Sequence, residues 1–346
     1  MPEPNSRGTL TIFLGYAAGV GKTYRMLQEA RKLKAEGRDV VIGYFEPHGR
    51  VETIAQTEGL EFIGRRKFEY RGSVFEDMDT PALITRRPAV AAVDEFAHTN
   101  VPGAERPKRW QDVRTILDAG IDVLTSLNVQ HIESLNDQVW QVTGIRVRET
   151  LPDWVVREAD EVVMVDVTPR ALVHRLERGV VYAPEKARVA LENFFTETNL
   201  NALRELALRQ AAQQLENRSA LCPLDLSGLG PAERILLWLT PQPATAMLIR
   251  RARRVADYLG CPCTAIYAEE QEVECEPWLN ICANLRIDVR SVMGAGGMPG
   301  KVAEYARSNE TTQVFVTRET PEVAKLVHLA RDLQITVVGT RVGPVR

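Results

Sequence analysis

The sequence predicts an α/β protein: a P-loop type of doubly wound parallel sheet followed by a smaller α/β domain. Three observations carry that prediction. Residues 9–30, TLTIFLGYAAGVGKTYRMLQEA, read as an apolar strand, a glycine-bearing turn, Lys-Thr and a helix with apolar positions at Met26, Leu27 and Ala30. Residues 88–96, PAVAAVDEF, read as a second apolar strand that ends in Asp94-Glu95. Strand and helix patterns then alternate along the chain, as parallel strands with helices on both faces require.

The first element is a phosphate cradle. Backbone N–H groups of the glycine loop and of the helix start would face anionic oxygens. Gly15, Ala18, Gly19, Val20, Gly21, Lys22 and Thr23 are the nucleotide-binding candidates. Lys22 would reach the β- and γ-phosphates of ATP, and the Thr23 hydroxyl would hold Mg²⁺. The spelling departs from the usual pattern, because Tyr16 stands where the first glycine belongs and Gly15 is its neighbour. The bland alternative is a glycine-rich turn with an exposed lysine. In the second element, Asp94 would hold the magnesium and Glu95 could orient or activate a water, as a catalytic group. Many strands simply end in solvated acids.

Strand candidates in the first part are residues 9–14, 39–45, 89–94, 121–127 and 160–167. Helical patterns lie at 22–35, 107–119, 130–142 and 199–216. Ser219, Pro223, Ser227, Gly228, Gly230 and Pro231 mark 217–231 as a linker. Alternation then restarts, with strands at 234–240, 263–268, 287–293, 312–317 and 335–339 and helices at 243–259, 298–308 and 320–331. The expected domains are therefore 1–216 and 232–346.

Bulk properties exclude several classes. With 346 residues, a net charge of −3, 45% hydrophobic and 26% charged residues, the chain is ordinary two-domain globular protein. Nothing in that charge suggests nucleic acid or an anionic membrane. No apolar run approaches the ~20 residues of a membrane span. MPEPNSRGTL has no signal-peptide core, so a cytoplasmic location is expected. The five cysteines all fall from Cys222 onward. Their spacing suits buried thiols better than a zinc ribbon or finger.

LGYAAGVGKTYRML, RRPAVAAVDEFAHTN, ERPKRWQDV and TSLNVQHIESLND, in that order, closely resemble the cytosolic N-terminal region of the KdpD potassium sensor kinases over about residues 7–216. The family's own loop also lacks the ideal first glycine. From about residue 232 the chain resembles the universal-stress-protein-like module of that family. The resemblance implies ATP and Mg²⁺ as ligands, and a kinase half in cis or in trans as partner. It also implies that the phosphoacceptor histidine lies outside these residues, so none of the five histidines takes that role. An excised region and a stand-alone relative both fit.

The second module departs from the ATP-binding pattern. The segment after its fourth strand, VFVTRETPEVAK, has no glycine to wrap phosphates. In some KdpD sensors this module binds cyclic di-AMP. By that resemblance Thr240, Gln242, Thr264 and Tyr267 are candidate contacts, although the family's serines and phenylalanine are replaced here. The alternative is a plain buried strand, since Ala265-Ile266-Tyr267 suits a core.

Other residues carry paired readings. Asn128 or Gln130 could sense a γ-phosphate, or Asn128 could cap a helix beside a satisfied His131. Glu46-Pro47-His48-Gly49-Arg50 could be a switch loop or a loop with a solvated arginine. Arg50, Arg106 and Arg109 are candidate arginine fingers. Pro107-Lys108-Arg109-Trp110 could start a helix with proline in its first turn, or form a partner surface. The function expected is an ATP-binding regulatory region of a two-component sensor for potassium uptake. The alternatives are a slow ATPase or hydroxyl-directed kinase, and a nucleotide-stabilised scaffold.

Overall fold

A computed structural model describes residues 7–179, 181, 194–219, 233–293 and 297–339. The chain divides into two compact units. One comprises Met1–Ile132, Gln138–Leu151 and Val155–Leu221; the other Glu133–Asp137, Pro152–Trp154 and Cys222–Arg346.

The first unit holds a six-stranded parallel sheet. In chain order its strands are β1 (Leu10–Gly15), β2 (Val40–Tyr44), β3 (Glu61–Phe62), β6 (Val90–Val93), β7 (Asp122–Asn128) and β8 (Glu161–Met164). A separate antiparallel pair, β4 (Arg66–Tyr70) and β5 (Ser73–Asp77), lies between β3 and β6 in sequence. The sheet order is β3-β2-β6-β7-β1-β8. All of β2 and β6, and all of β1 except Thr11, are buried, as central strands covered on both faces must be. The order places β7 between the strand that precedes the glycine loop and the strand that ends in Asp94. Register pairs Gly15 with Asn128, Val93 with Thr125 and Tyr44 with Val93. The carboxyl ends of four strands therefore meet on one edge, where such sheets take their ligands.

Helix α1 (Lys22–Ala35) begins directly after Gly21, whose φ of 104° only glycine adopts without strain. It buries Met26, Leu27 and Ala30 against Phe13, Ile42 and Ala92, while Lys32 and Lys34 suit the negative end of its dipole. Helix α2 (Val51–Ala55) and helix α3 (Thr80–Arg86) are short, and α3 is capped by Asp79 accepting from the Ala82 N–H. Helix α4 (Arg109–Asp118) packs Val113, Ile116 and Leu117 inward. The expected helix over 130–142 is instead two 3₁₀ turns, 129–131 and 133–135, before α5 (Asn136–Thr143). After α6 (Asp153–Arg157) and α7 (Pro169–Glu177), the long α8 runs Glu197–Ser219. The first three residues of the expected linker thus continue α8, and 220–231 lies outside the described residues.

The β4–β5 hairpin was not apparent in the sequence pattern. Its Arg71-Gly72 turn has both φ values positive, 48° and 78°, the geometry whose twist matches a tight hairpin.

The second unit is a five-stranded parallel sheet, β9 (Ile235–Trp238), β10 (Cys263–Ala268), β11 (Asp288–Val292), β12 (Gln313–Thr317) and β13 (Gln334–Val338), in the order β11-β10-β9-β12-β13. Helix α9 (Thr245–Leu259) buries Leu248, Ile249, Ala252 and Ala256, and ends on the left-handed Gly260. Helix α10 (Glu272–Asn284) went unanticipated because Pro277 sits inside it; Cys275 and Cys282 seat it on the core. Helices α11 (Met298–Ser308) and α12 (Val323–Leu329) complete the unit. Both units are α/β with parallel sheets. Among the described residues no helix is long and apolar enough to cross a membrane.

Candidate functional site: the glycine loop and the Asp94-Glu95 turn

Gly15 closes β1, and a Cβ there would stand 2.6 Å from Val20 and 2.9 Å from the Lys22 stem. Gly19 has φ 89°, and a Cβ would meet Val181 at 2.5 Å. Close approach as well as positive φ therefore demands glycine in this loop. Tyr16, in place of the first glycine, is fully buried and donates its hydroxyl to the Val167 carbonyl at 2.9 Å. It anchors the loop to the segment after β8. Burial, then the Asp166 charge, pushes its hydroxyl up to about 12. Arg175 donates to the Gly19 carbonyl at 3.2 Å from outside.

Lys22 is buried and donates to the Ala17 carbonyl at 3.0 Å. Ala18 and Gly19 are half-buried and Val20 is buried. Burial pushes the Lys22 ammonium down to about 7, with Arg50 acting the same way and Asp94 opposing. Thr23 donates to Asp94 at 3.1 Å (Oδ1) and 3.3 Å (Oδ2). Ser126 donates to Asp94 Oδ1 at 2.5 Å. Burial raises the Asp94 pKa, and the Ser126 hydrogen bond works against it.

Glu95 sits at φ 57°, a left-handed conformation that turns its side chain back toward the site. His48 Nε2 lies 3.1 Å from its Oε1; Arg109 Nη1 and His98 Nδ1 lie 3.8 and 3.9 Å from its Oε2. Burial works to raise the Glu95 pKa, but the His48 hydrogen bond and the charges of Arg109, His48 and His98 outweigh it and hold the carboxyl below its usual range. A cavity of about 120 Å³ is lined by Lys22, Glu95, His98, Ser126, Asn128 and His131 among others.

The structure thus brings Lys22, Thr23, Asp94 and Glu95 together at one strand edge, with Ser126 added. Sequence reading missed Ser126. The only signal was a pair of hydroxyls, Thr125-Ser126, inside an otherwise apolar strand. Asn128 makes no cap hydrogen bond, and its Oδ1 is buried without a partner among the described residues, as is Gln130 Oε1. His131 is satisfied by the Glu149 carbonyl at 2.7 Å. Arg109 is no surface or finger residue: it is wholly buried, pairs with Asp77 at 2.6 Å and covers the Tyr44 ring at 3.6 Å. Pro107 precedes the helix instead of entering it. Arg106 pairs with Asp112 at 3.3 Å.

The donor set fits a magnesium nucleotide. Thr23 and Asp94 present hard oxygens side by side. Lys22 spends one of three donors on a carbonyl. The orphaned Asn128 and Gln130 oxygens require a donor such as an ordered water.

In the second unit the four candidates do not converge. Thr240 is buried and committed to Thr245, whose hydroxyl donates to the Thr240 carbonyl at 2.8 Å. Gln242 is exposed just beyond β9. Thr264 pairs with Leu236, four residues before Thr240, which puts it about 13 Å back along the sheet. It also points to the face opposite Tyr267. Tyr267 is packed into the core with Leu237, Leu239 and Cys275. After β12, the Thr320 hydroxyl accepts from the Thr317 N–H at 3.0 Å, closing the turn on itself. Cys261, Cys263, Cys275 and Cys282 are free and buried.

Residues 6–215 match the family model described as "Osmosensitive K+ channel His kinase sensor domain" of KdpD. The chain is 50% identical over 257 residues to a KdpD-type sensor protein of Synechocystis sp., covering 74% of this chain and 69% of that one. It is 38% identical to the sensor protein KdpD of Clostridium acetobutylicum over 95% of this chain but only 38% of the relative's length. With that of Escherichia coli it shares 46% identity over 76% of this chain and 30% of the relative. A universal stress protein from Archaeoglobus fulgidus solved with dAMP matches 31% of this chain and 98% of its own, at 13% identity and a TM-score of 0.27. The family model covers the glycine loop, the Asp94-Glu95 turn and the strand between them, and the chain belongs to the KdpD sensor family.

Proposed function

We propose that the first unit binds ATP with Mg²⁺ and serves as a cytosolic regulatory region of a two-component sensor kinase controlling potassium-uptake genes. The observation that carries this is the Thr23–Asp94–Ser126 set beside Lys22 and a loop in which Gly15 and Gly19 leave no room for a Cβ. Gly19 to Thr23 would hold the phosphates, Thr23 and Asp94 the metal. The bound terminal phosphate would order neighbouring loops, and a kinase half would read that change. Calorimetric titration of the chain with ATP, with and without Mg²⁺, tests it; heat of binding that requires neither Lys22 nor Mg²⁺ would refute it.

A second reading, a slow ATPase or hydroxyl-directed kinase, is favoured by one observation: Glu95 lines the same cavity as Lys22. Steady-state phosphate release by the native chain and by Glu95→Gln separates the two, since a regulatory binder shows no Glu95-dependent turnover.

For the second unit, cyclic di-AMP is the nucleotide proposed, with the exposed Gln242, just beyond β9, as its candidate contact. Titration of the chain with cyclic di-AMP, comparing Gln242→Ala, decides it; no detectable binding ends the proposal.

A further inference from the structure

The loop after β2, residues 45–50, lies against the glycine-loop site. Tyr44 pairs with Val93, so the loop leaves the sheet beside Asp94-Glu95. His48 reaches back to Glu95 Oε1 at 3.1 Å. The Arg50 N–H donates to the Pro47 carbonyl at 2.9 Å, and His48 and Gly49 both take left-handed backbone, φ 45° and 69°. This tight turn holds Arg50 two residues from His48, beside the turn that carries Glu95. Arg50 Nε is buried and has no hydrogen-bond partner among the described residues. A buried N–H without an acceptor is costly and unusual in a native structure. Arg65 and Arg175 nearby donate to the Phe45 and Gly19 carbonyls, and Arg109, whose Nε is also unpartnered among the described residues, places its Nη2 on Asp77.

We propose that Arg50 is a phosphate ligand carried in cis, which binds the terminal phosphate of the nucleotide held by Lys22 and so distinguishes a triphosphate from a diphosphate. This rests on the ATP reading of the same site. A guanidinium suits the role because its planar fork meets phosphate oxygens in pairs, and an arginine acting on the terminal phosphate is a recurring part of phosphoryl-binding sites. Arg50 and His48 are two residues apart in one turn. Movement of Arg50 onto a phosphate therefore draws on the His48–Glu95 hydrogen bond. His48 is a positioning residue that couples the occupancy of the site to the orientation of Glu95.

The test is calorimetry on the full chain with Mg·ATP and Mg·ADP, for the native protein, Arg50→Ala, Arg50→Lys and Lys22→Ala. Arg50→Ala should weaken ATP by about tenfold or more while changing ADP by less than about threefold. Arg50→Lys should recover part of the ATP affinity, which guards against a folding defect. Lys22→Ala should weaken both nucleotides. The His48 imidazole resonances should shift with ATP and not with ADP, and with neither in Arg50→Ala. Equal losses of ATP and ADP in Arg50→Ala, or no loss, would overturn the proposal. If the native chain and Lys22→Ala behave as expected while the ATP/ADP ratio ignores Arg50, this inference alone falls. If the native chain binds neither nucleotide, the ATP reading falls and this inference with it.

Discussion

Thr23 and Asp94 are 71 residues apart in sequence, yet the Thr23 hydroxyl donates to both oxygens of the Asp94 carboxylate, at 3.1 and 3.3 Å. The contact joins the start of α1 to the end of β6 across the interposed β7. It leaves a buried carboxylate held by the Thr23 and Ser126 hydroxyls and the Glu95 N–H, with no cation in direct contact among the described residues. Such a carboxylate is poised for a metal.

Asp94→Asn should therefore reduce the dependence of ATP binding on Mg²⁺ and leave the fold intact. The amide keeps the hydrogen-bonding shape and removes the charge that serves the metal. ATP titrations across a magnesium series check this. Unchanged magnesium dependence would show that Asp94 is not the metal acid.

Gly19→Ala should destabilise the loop by about 1–2 kcal/mol from backbone conformation alone, with a further cost from the Cβ lying 2.5 Å from Val181. Nucleotide affinity should fall with it, since the backbone could no longer approach the phosphates. Gly37→Ala is the control. It has φ 89° as well but open space around it, so it should show only the conformational cost and unaltered nucleotide binding. Urea melts and titrations of the two variants make the comparison.

Arg109→Ala should cost about 3–5 kcal/mol, because it strands a buried Asp77 carboxylate 2.6 Å from where its partner stood. Asp77 retains N–H donors from Met78 and Val101, which softens the loss. Combining Arg109→Met with Asp77→Leu should recover much of the stability. Chemical denaturation of the single and double variants gives the coupling directly. A single variant as stable as the parent would contradict the buried pair.

Acid stability should depend on Asp122. Burial works to raise its pKa, but hydrogen bonds from Arg38 at 2.6 Å and from the Thr9 N–H at 2.7 Å outweigh it, and the folded pKa lies below the ordinary value. A depressed carboxyl stabilises fully above its unfolded pKa, about 3.9, and that contribution is lost as pH falls through the lower folded value. Asp122→Asn should be less stable than the parent at pH 6, with the difference shrinking as pH drops below about 4. Denaturation midpoints at both pH values test it; a difference that grows on acidification would reverse the sign.

Much of this was legible in the sequence for a physical reason. Buried parallel strands need long apolar runs, and phosphate loops need glycine at fixed spacing, so β1, β6, α1 and the Lys22–Thr23 and Asp94–Glu95 pairs stand out locally. What was hidden depends on sheet order. Ser126 joins the site only because β7 lies between β1 and β6, and nothing local reports that order. Arg109 looks like a solvated charge until Asp77 and Tyr44 are placed around it. The second-domain candidates do not come together for the complementary reason: Thr264 and Tyr267 are near in sequence, but strand alternation and the pairing of Thr264 with Leu236 put them on opposite faces and Thr264 away from Thr240.

The central claim, that Lys22 holds the phosphates of a nucleoside triphosphate, is tested most directly by titrating Lys22→Ala and the native chain with ATP and with adenosine. Loss of a charge-assisted contact of about 1.5–3 kcal/mol predicts that ATP affinity falls by about tenfold or more while adenosine binding is unchanged. Equal loss of both ligands, or ATP affinity indifferent to Lys22, would contradict it.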